Sequence, residues 1–325
     1  MTAARLRWMV VVFVLTIAGV MSITAMAGTS KPAQPRLPET YAVSNYGDIL
    51  DFEALARSSP QVDEAVTAAH FLPPAIPSAT RIDATASAVT PGSAIDSADR
   101  VKVNNTTQFP WSTIVHIQGK FGTNTFNCTG WMLGVSTVAT AAHCLYDYGR
   151  TNLFATEVIV VPAQNTSSAN SEPFGRCAGG TSWIVNHWQE SGNPAYDYGV
   201  LTLKCRIGEQ TGSLGFSLTT RGISGTLVNL TGYPFDKGGT TMWFDLGYIT
   251  DVLTYQFFYS NATEAARSGA PVWLPNVRLC YFCVVAIHTS GRPDLNANIG
   301  VRITDSMFNL LAVFRNWQYA RAAYQ

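Results

Sequence analysis

The chain has 325 residues, and its 21 lysines and arginines balance 21 aspartates and glutamates, so the formal net charge is zero. Charged residues make up 13% of the chain, well below the roughly 25% of an ordinary soluble domain, which excludes a nucleic-acid binder that neutralises phosphates with a basic surface. A hydrophobic fraction of 47% excludes a mostly disordered chain, and the length allows about two domains.

The first 27 residues have the parts of a secretory signal peptide. Arg5 and Arg7 are basic, residues 8–17 are apolar, and residues 25–27 (AMA) supply the small side chains that signal peptidase needs. The alternative is an uncleaved membrane anchor, since residues 8–27 are about long enough to span a bilayer. No basic cluster follows the run. We therefore expect cleavage, and a secreted protein without membrane contact.

Residues 28–92 are rich in alanine, proline, serine and threonine and contain no cysteine. They show no strand alternation, and their one helical pattern covers residues 51–69. We interpret this region as a pro-segment. The alternative is a plain surface linker.

After Ser93 the sequence changes to short runs of β-branched and aromatic residues separated by Gly, Asn, Asp and Ser. Runs of this kind indicate an all-β fold, either a sandwich or a pair of barrels. The predicted strands are residues 111–118, 128–133, 158–161, 199–203, 226–231, 256–259, 271–274, 284–289 and 299–304.

The last part of the chain predicts a C-terminal helix over residues 305–322. Phe308, Leu311, Phe314 and Trp317 recur at helical spacing, and a Thr304-Asp305 pair precedes them as a cap. The apolar stripe predicts that this helix packs on the β-sheet core.

Three short segments together suggest a hydrolase. They place His143 in TAAHC, Asp197 in DYGVL and Ser268 in SGAPV, in that order along the chain. A serine hydroxyl is a weak nucleophile near neutral pH and needs a base within hydrogen-bond reach. His143 could take its proton, and Asp197 could fix the imidazole tautomer and stabilise the imidazolium. Each segment alone is more typical of ordinary structure, such as a buried histidine or a turn.

With these segments the chain resembles the trypsin-like serine peptidases, and within them the bacterial glutamyl endopeptidases. The resemblance runs from about Ser93 to Trp317. The stretches that carry it are 104–107 (NNTT), 114–117 (IVHI), 128–134 (CTGWMLG), 137–144 (TVATAAHC), 196–199 (YDYG), 232–237 (GYPFDK), 286–291 (AIHTSG) and 299–304 (IGVRIT).

The resemblance implies two six-stranded antiparallel β-barrels, at residues 93–210 and 211–325, with the site in the cleft between them. It implies a monomeric serine endopeptidase that acts on proteins or peptides, cuts after glutamate and less well after aspartate, and needs no cofactor or metal. The expected catalytic residues are His143, Asp197 and Ser268.

The same resemblance assigns the substrate pocket. His288 and Thr263 match the family's histidine and hydroxyl residue that receive the acidic side chain, and a buried carboxylate does need such donors. Thr289, Ser290 and Gly291 are expected along the substrate as an edge strand. On spacing alone, His288 is more typical of a buried core histidine.

One stretch departs from the family pattern. The oxyanion hole should be formed by the backbone N–H groups of Ser268 and Ala266, but relatives carry glycine before the nucleophile where this chain has Ala266 and Arg267. Losing one oxyanion donor costs about 100- to 1,000-fold in rate. The alternative function is therefore a catalytically impaired homologue that serves as a binding module.

The six cysteines fit three disulfides, as expected for an exported chain. The resemblance implies the pairs Cys128–Cys144 and Cys280–Cys283, and the remaining Cys177 and Cys205 are expected to pair within the first barrel. A zinc site at Cys280, Cys283 and His288 is a weak alternative, because there is no second cysteine pair of that spacing.

Maturation near Ser93 is expected to need another protease. Residues 65–92 contain no glutamate, so an enzyme that cuts after glutamate has no matching bond there.

Overall fold

The computed structural model describes residues 40–53, 55, 71–72, 100–166, 168–218, 221–261, 267–275, 282–292 and 297–317. The chain divides into the units Met1–Glu39 and Thr40–Gln325, and all described residues belong to the second. The predicted signal peptide lies outside the described residues, as does most of the helical pattern at 51–69.

Seventeen strands and three helices are numbered in chain order within the described residues. The strands are β1 Ala42–Ser44, β2 Ile49–Leu50, β3 Phe71–Leu72, β4 Val101–Lys102, β5 Ile114–Phe121, β6 Asn124–Gly134, β7 Thr137–Thr140, β8 Thr156–Pro162, β9 Cys177–Val185, β10 Gly199–Leu203, β11 Gly215–Ser217, β12 Leu227–Gly232, β13 Trp243–Val252, β14 Gln256–Tyr259, β15 Pro271–Leu274, β16 Cys283–Arg292 and β17 Ala297–Arg302. The helices are α1 Asn186–Ser191, α2 Gly208–Thr211 and α3 Asp305–Arg315.

These strands form two closed six-stranded antiparallel barrels, which confirms the predicted architecture. The first has the order β10-β7-β6-β5-β8-β9 and closes through pairing of β9 with β10. The second has the order β15-β12-β13-β14-β17-β16 and closes through pairing of β15 with β16. Short strands extend both barrels: β1 and β2 continue from β9, while β11 and β3 continue from β16.

The burial pattern of each strand explains why some were easier to predict than others. β7 and β10 are buried at every position, which produces continuous apolar runs such as GVLTL. β13 alternates between buried and exposed residues and mixes aspartate and glycine with aromatic residues, so no clear strand pattern is visible in WFDLGYITDV. β9 begins with CAGG and was missed because glycine weakens a strand pattern.

Several predicted boundaries differ from the structure, and the C-terminal helix, predicted to extend to residue 322, ends at Arg315. Residues 111–113 form a 3₁₀ turn rather than the start of a strand, and β5 begins at Ile114. The predicted pro-segment contributes β1, β2 and β3, each of two or three residues, which is too short for a sequence to show alternation.

The C-terminal helix α3 packs against the first barrel and strand β11. Its buried face includes Phe308 and Phe314, and the Phe308 ring lies 5.1 Å from that of Phe216. The Thr137 hydroxyl donates to the Phe314 carbonyl over 3.0 Å. Thr304 occupies the N-cap position, but its side chain makes no capping hydrogen bond.

Within the described part of the chain, α3 and the other helices are all too short or too polar to cross a bilayer.

Candidate active site

His143 and Asp197 lie at the ends of two paired strands. His143 sits on a 3₁₀ turn directly after β7, and Asp197 follows another 3₁₀ turn directly before β10. Thr140 pairs with Gly199 across the two strands, so this register brings the two turns to the same end of the first barrel. Residues 54 positions apart in sequence thereby come into contact.

The contact between them consists of two hydrogen bonds. The His143 backbone N–H donates to Asp197 Oδ1 over 2.9 Å, and its ring Nδ1 lies 2.7 Å from Oδ2. The Asp197 side chain is 6% exposed and that of His143 is 31% exposed. Burial opposes a charged imidazole, but the carboxylate's charge and hydrogen bond outweigh it and raise the pKa of His143. Because Nδ1 faces Asp197, Nε2 is the ring nitrogen left for another partner.

Ser268 is held in a tight turn that leads into β15. Its carbonyl accepts a 2.8 Å hydrogen bond from the Thr129 backbone N–H. Gly269 has φ of +82°, and a Cβ there would lie 2.0 Å from the Thr140 Oγ1 atom. Only glycine fits this position, so the SG pair of the motif has a steric cause. The turn places Ser268 against β6 and β7, which lead to His143.

A disulfide ties this region together. Cys128 on β6 is bonded to Cys144, the residue after His143. Thr129 follows Cys128, and its hydroxyl accepts a 3.1 Å hydrogen bond from the Tyr233 backbone N–H. The Thr129 backbone N–H donates to the Ser268 carbonyl. Thr129 thus connects the first barrel to two segments of the second. Sequence reasoning missed this residue because its role depends on strand register.

His288 lies beside the Ser268 turn and is 3% exposed. The Gly269 N–H donates to the His288 carbonyl over 2.8 Å, and the His288 N–H donates to the Ala270 carbonyl over 2.9 Å. Its ring Nδ1 lies 2.5 Å from the Tyr259 hydroxyl. Burial, followed by the nearby charges of Arg267 and His143, lowers the pKa of His288 to about 3. The imidazole is therefore neutral at neutral pH.

Arg267, immediately before Ser268, is fully buried. Its Nη2 donates to the Trp243 carbonyl over 3.5 Å. Burial and the charge of Arg100 lower its pKa to about 10, whereas Asp245 and Asp236 oppose that change. Arg267 remains cationic at neutral pH and adds positive charge beside His288.

The end of β16 supplies the predicted substrate edge. Among the described strands, β15 pairs with β16 as far as Ile287, and β17 pairs with the opposite side of β16. A register shift falls between His288 and Ser290. Ser290 and Gly291 are exposed, whereas Thr289 is 8% exposed and its hydroxyl donates to the Ile299 carbonyl over 3.4 Å. Among the described strands, none pairs with the β15 side of β16 at the exposed residues Ser290 and Gly291, where an extended peptide could bind.

Three predicted site residues lie outside the described residues: Thr263, Ala266 and Cys280. Cys177 is bonded to Cys205, and Cys283 is also in a disulfide. In the described ranges, the one group of potential metal ligands comprises Cys128, His143 and Cys144, and its two sulfurs are already bonded to each other. They are therefore not thiolate ligands.

The amino-acid sequence of this chain is similar to those of known proteins. Residues 100–240 match the family model described as Trypsin. The chain is 39% identical over 228 residues to a glutamyl endopeptidase of Bacillus licheniformis, and the alignment covers 69% of each chain. It is 32% identical over 242 residues to a Bacillus subtilis protein named extracellular metalloprotease, covering 73% of this chain and 74% of that one.

Solved structures share the fold. One is a Glu endopeptidase in complex with MPD, with a TM-score of 0.58 and 24% identity, covering 67% of this chain and 96% of that one. Another is a protease from Arthrobacter nicotinovorans, with a TM-score of 0.52 and 21% identity, covering 62% and 96%.

Proposed function

We propose that this serine endopeptidase, which belongs to the glutamyl endopeptidase subfamily of the trypsin-like serine proteases, cuts proteins and peptides after glutamate. In this proposal His143, Asp197 and Ser268 form its catalytic triad. The observation that carries the proposal is the double hydrogen bond from His143 to Asp197. It leaves Nε2 as the ring atom that can serve the nucleophile.

The reaction follows from these positions. His143 Nε2 takes the Ser268 hydroxyl proton as the oxygen attacks the substrate carbonyl. The imidazolium, stabilised by Asp197, returns the proton to the leaving amine, and an ester to Ser268 remains. Water, deprotonated by His143, then hydrolyses that ester and restores the serine. The N–H groups of Ser268 and Ala266 are assigned to the oxyanion that forms in both steps.

The preference for glutamate is assigned to His288, with the hydroxyl of Thr263. If the Tyr259 hydroxyl donates to Nδ1 of the neutral His288 ring, the ring proton resides on Nε2 and is available to a substrate carboxylate. Arg267 adds positive charge nearby. A glutamate carboxylate is thus met by hydrogen-bond donors in a positive field, while Thr289, Ser290 and Gly291 align the peptide backbone.

Active-site labelling tests the triad. A fluorophosphonate probe should label the processed protein and should fail to label the Ser268→Ala variant. Ser191→Ala, which changes an exposed serine, is the matched control and should label fully. Labelling that persists in Ser268→Ala would assign the nucleophile to another residue.

A peptide series that varies only in the residue before the cleaved bond tests the preference. We expect kcat/KM for glutamate to exceed that for glutamine at least roughly 100-fold, because the carboxamide carries no negative charge and its NH2 group would face hydrogen-bond donors. His288→Asn should narrow that ratio, whereas Asn170→Ala, on an exposed loop, should leave it unchanged. Equal cleavage after glutamate and glutamine would remove His288 from this role.

We also propose that residues 1–27 are a signal peptide, that residues 28–92 are a pro-segment, and that the mature enzyme starts near Ser93 and acts outside the cell as a monomer. The apolar start of the chain supports the signal peptide, and the change of composition after Ser93 supports the boundary of the pro-segment. N-terminal sequencing of the exported protein and sedimentation analysis test it. A start that retains residues 8–17 would indicate a membrane anchor instead.

A further inference from the structure

The N-terminal hairpin, residues 40–53, is part of the first barrel although it precedes the proposed start of the mature enzyme. Its strand β1 pairs antiparallel with β9, with Val43 opposite Ile184 and Ser44 opposite Trp183. Strand β2 then pairs back on β1. A segment that maturation separates from the enzyme is thus built into the enzyme's sheet.

The hairpin covers a strand edge that the remaining described strands leave open. Residues 183–185 of β9 have β10 on one side, where Ile184 pairs with Gly199. On the other side, β8 reaches β9 only at Cys177 and Ala178. If the hairpin left, the unpaired N–H and C=O groups at the end of β9 would lie at an open sheet edge.

Reciprocal hydrogen bonds outside the strand ladder fasten both ends of this pairing. The Asn45 N–H donates to the Ser182 carbonyl over 3.0 Å, and the Ser182 N–H donates to Asn45 Oδ1 over 3.0 Å. The Asn186 N–H donates to the Tyr41 carbonyl over 3.0 Å, and the Tyr41 N–H donates to Asn186 Oδ1 over 3.1 Å. These hydrogen bonds fix the register in which β1 pairs with β9 and make the pairing specific to these two strands.

The hairpin also has a buried face and an exposed face. Ala42 and Phe52 are 0% exposed and Leu50 is 1% exposed, and all three belong to the core that contains the first barrel. Tyr46 and Ile49 on the outer side are 71% and 62% exposed. Removal of the hairpin would expose core side chains to water, which is unfavourable in proportion to the apolar area uncovered.

We propose that the hairpin stays bound to the processed enzyme as a separate, non-covalently held chain that completes the first barrel. The partner of the β9 edge is therefore this protein's own excised segment, held by strand addition. The inference rests on the proposed maturation near Ser93, where a second protease hydrolyses a peptide bond. The β3 strand, paired with β11 on the second barrel's sheet, provides another attachment in the same segment.

The hairpin has a structural path to the catalytic residues. β9 pairs with Gly199, two residues after Asp197, and Asn186 begins helix α1. On α1, the Trp188 ring lies 6.4 Å from the His143 ring. We therefore expect loss of the hairpin to loosen the segments around His143 and Asp197.

Co-purification tests the proposal without relying on activity. The full precursor with Ser268→Ala is processed by an added protease, passed over a sizing column in native buffer and analysed by mass spectrometry. We expect a fragment that contains residues 40–53 to co-elute with the processed chain at close to one equivalent and to separate in denaturant. If the processed chain were folded but carried less than about a tenth of an equivalent of this fragment, the proposal would be overturned. A mature chain whose N-terminus lies before residue 40 would overturn it as well. Because Ser268→Ala is used, a wrong catalytic assignment would not affect this result.

Matched variants locate the binding face. Phe52→Asp in the precursor should lower retention at least tenfold, whereas Ile49→Asp, at an exposed position on the same hairpin, should not change it. If Phe52→Asp prevents folding, labelled synthetic peptides of residues 40–53 replace the variants. The parent and Ile49→Asp peptides should exchange into the processed wild-type enzyme, and the Phe52→Asp peptide should not. Equal exchange of all three peptides would overturn the assigned face.

Discussion

Asp197 holds His143 at two points, because one carboxylate oxygen accepts the His143 backbone N–H over 2.9 Å while the other lies 2.7 Å from ring Nδ1. The first bond fixes where the histidine sits, and the second fixes how its ring is turned. A carboxamide at position 197 could keep the first bond but would offer the wrong partner to one ring tautomer.

Asp197→Asn should therefore lower kcat by roughly 10⁴-fold. It should also move the acidic limb of the pH profile. A raised His143 pKa means that activity falls as pH drops through that raised value, since the protonated ring cannot act as a base. Without the carboxylate, burial alone lowers the His143 pKa, so the limb should shift to lower pH. The measurement is kcat/KM against pH.

The control for this change is Asp251→Asn, at an exposed carboxylate, which should leave both kcat and the limb unchanged. An Asp197→Asn enzyme with an unshifted acidic limb would show that another group titrates.

The serine turn depends on the space at Gly269. In Gly269→Ala, the new Cβ would meet Thr140 Oγ1 at 2.0 Å and the Thr129 carbonyl oxygen at 2.2 Å. Gly122 has a similar positive φ of +61°, but a Cβ added there would have no neighbouring atom within 4 Å. Gly122→Ala should cost about 1–2 kcal/mol of unfolding free energy from backbone strain. Gly269→Ala should lower the unfolding free energy by roughly 3 kcal/mol more than Gly122→Ala does, because its Cβ also overlaps neighbouring atoms.

Urea unfolding of both variants measures this difference. Equal losses at positions 122 and 269 would mean that the turn has room to relax, and that the close approach to β6 and β7 does not require glycine.

The short strand patterns indicated an all-β fold, and the family resemblance carried by the motifs at the ends of β7 and β10 implied the two barrels and the His143–Asp197 contact. The sequence was not sufficient for Thr129 or Tyr259. Both act through partners more than 25 positions away along the chain, at Ser268 and His288. Such contacts depend on strand register, which a single sequence does not display. The roles assigned to the triad remain predictions.

The N-terminal hairpin was missed for a different reason. Its strands are three and two residues long, and their burial comes from pairing with β9 rather than from an alternating pattern of their own. Residues 28–92 as a whole are rich in alanine, proline, serine and threonine, and this composition led to the interpretation of the region as a pro-segment without strands.

Near the predicted start of the mature enzyme, an ion pair joins the buried Arg100 to Asp236, whose side chain is 33% exposed. Arg100 makes two hydrogen bonds to Asp236, at 2.7 and 2.5 Å, and its side chain is 0% exposed. Arg100→Met keeps much of the volume but removes two charged hydrogen bonds to the partly exposed Asp236, and it should cost roughly 2 kcal/mol of unfolding free energy. The Lys120–Glu157 pair is exposed at both side chains. Lys120→Met should cost less than about 1 kcal/mol.

Parallel denaturant titrations of these two variants give the comparison. If Arg100→Met proved as mild as Lys120→Met, the Arg100–Asp236 pair would contribute no more than a surface pair.

His288 should make the protein sensitive to acid. Its pKa is about 3 in the folded state, against an ordinary value of 6.5, because burial and the charges of Arg267 and His143 disfavour protonation. Between those two values the unfolded chain binds a proton that the folded chain does not, so stability is lost as pH falls from about 6.5 towards 3. In a Ser268→Ala background, which prevents self-digestion, His288→Gln should therefore lose less stability than its parent between pH 7 and 4.5. Tyr259→Phe removes the hydrogen bond to the ring without removing the titrating group, and it should keep the parent's full pH dependence. Urea unfolding midpoints at pH 7 and pH 4.5 measure both effects. If the parent and the His288→Gln variant lost the same stability between these pH values, the acid sensitivity would belong to other groups.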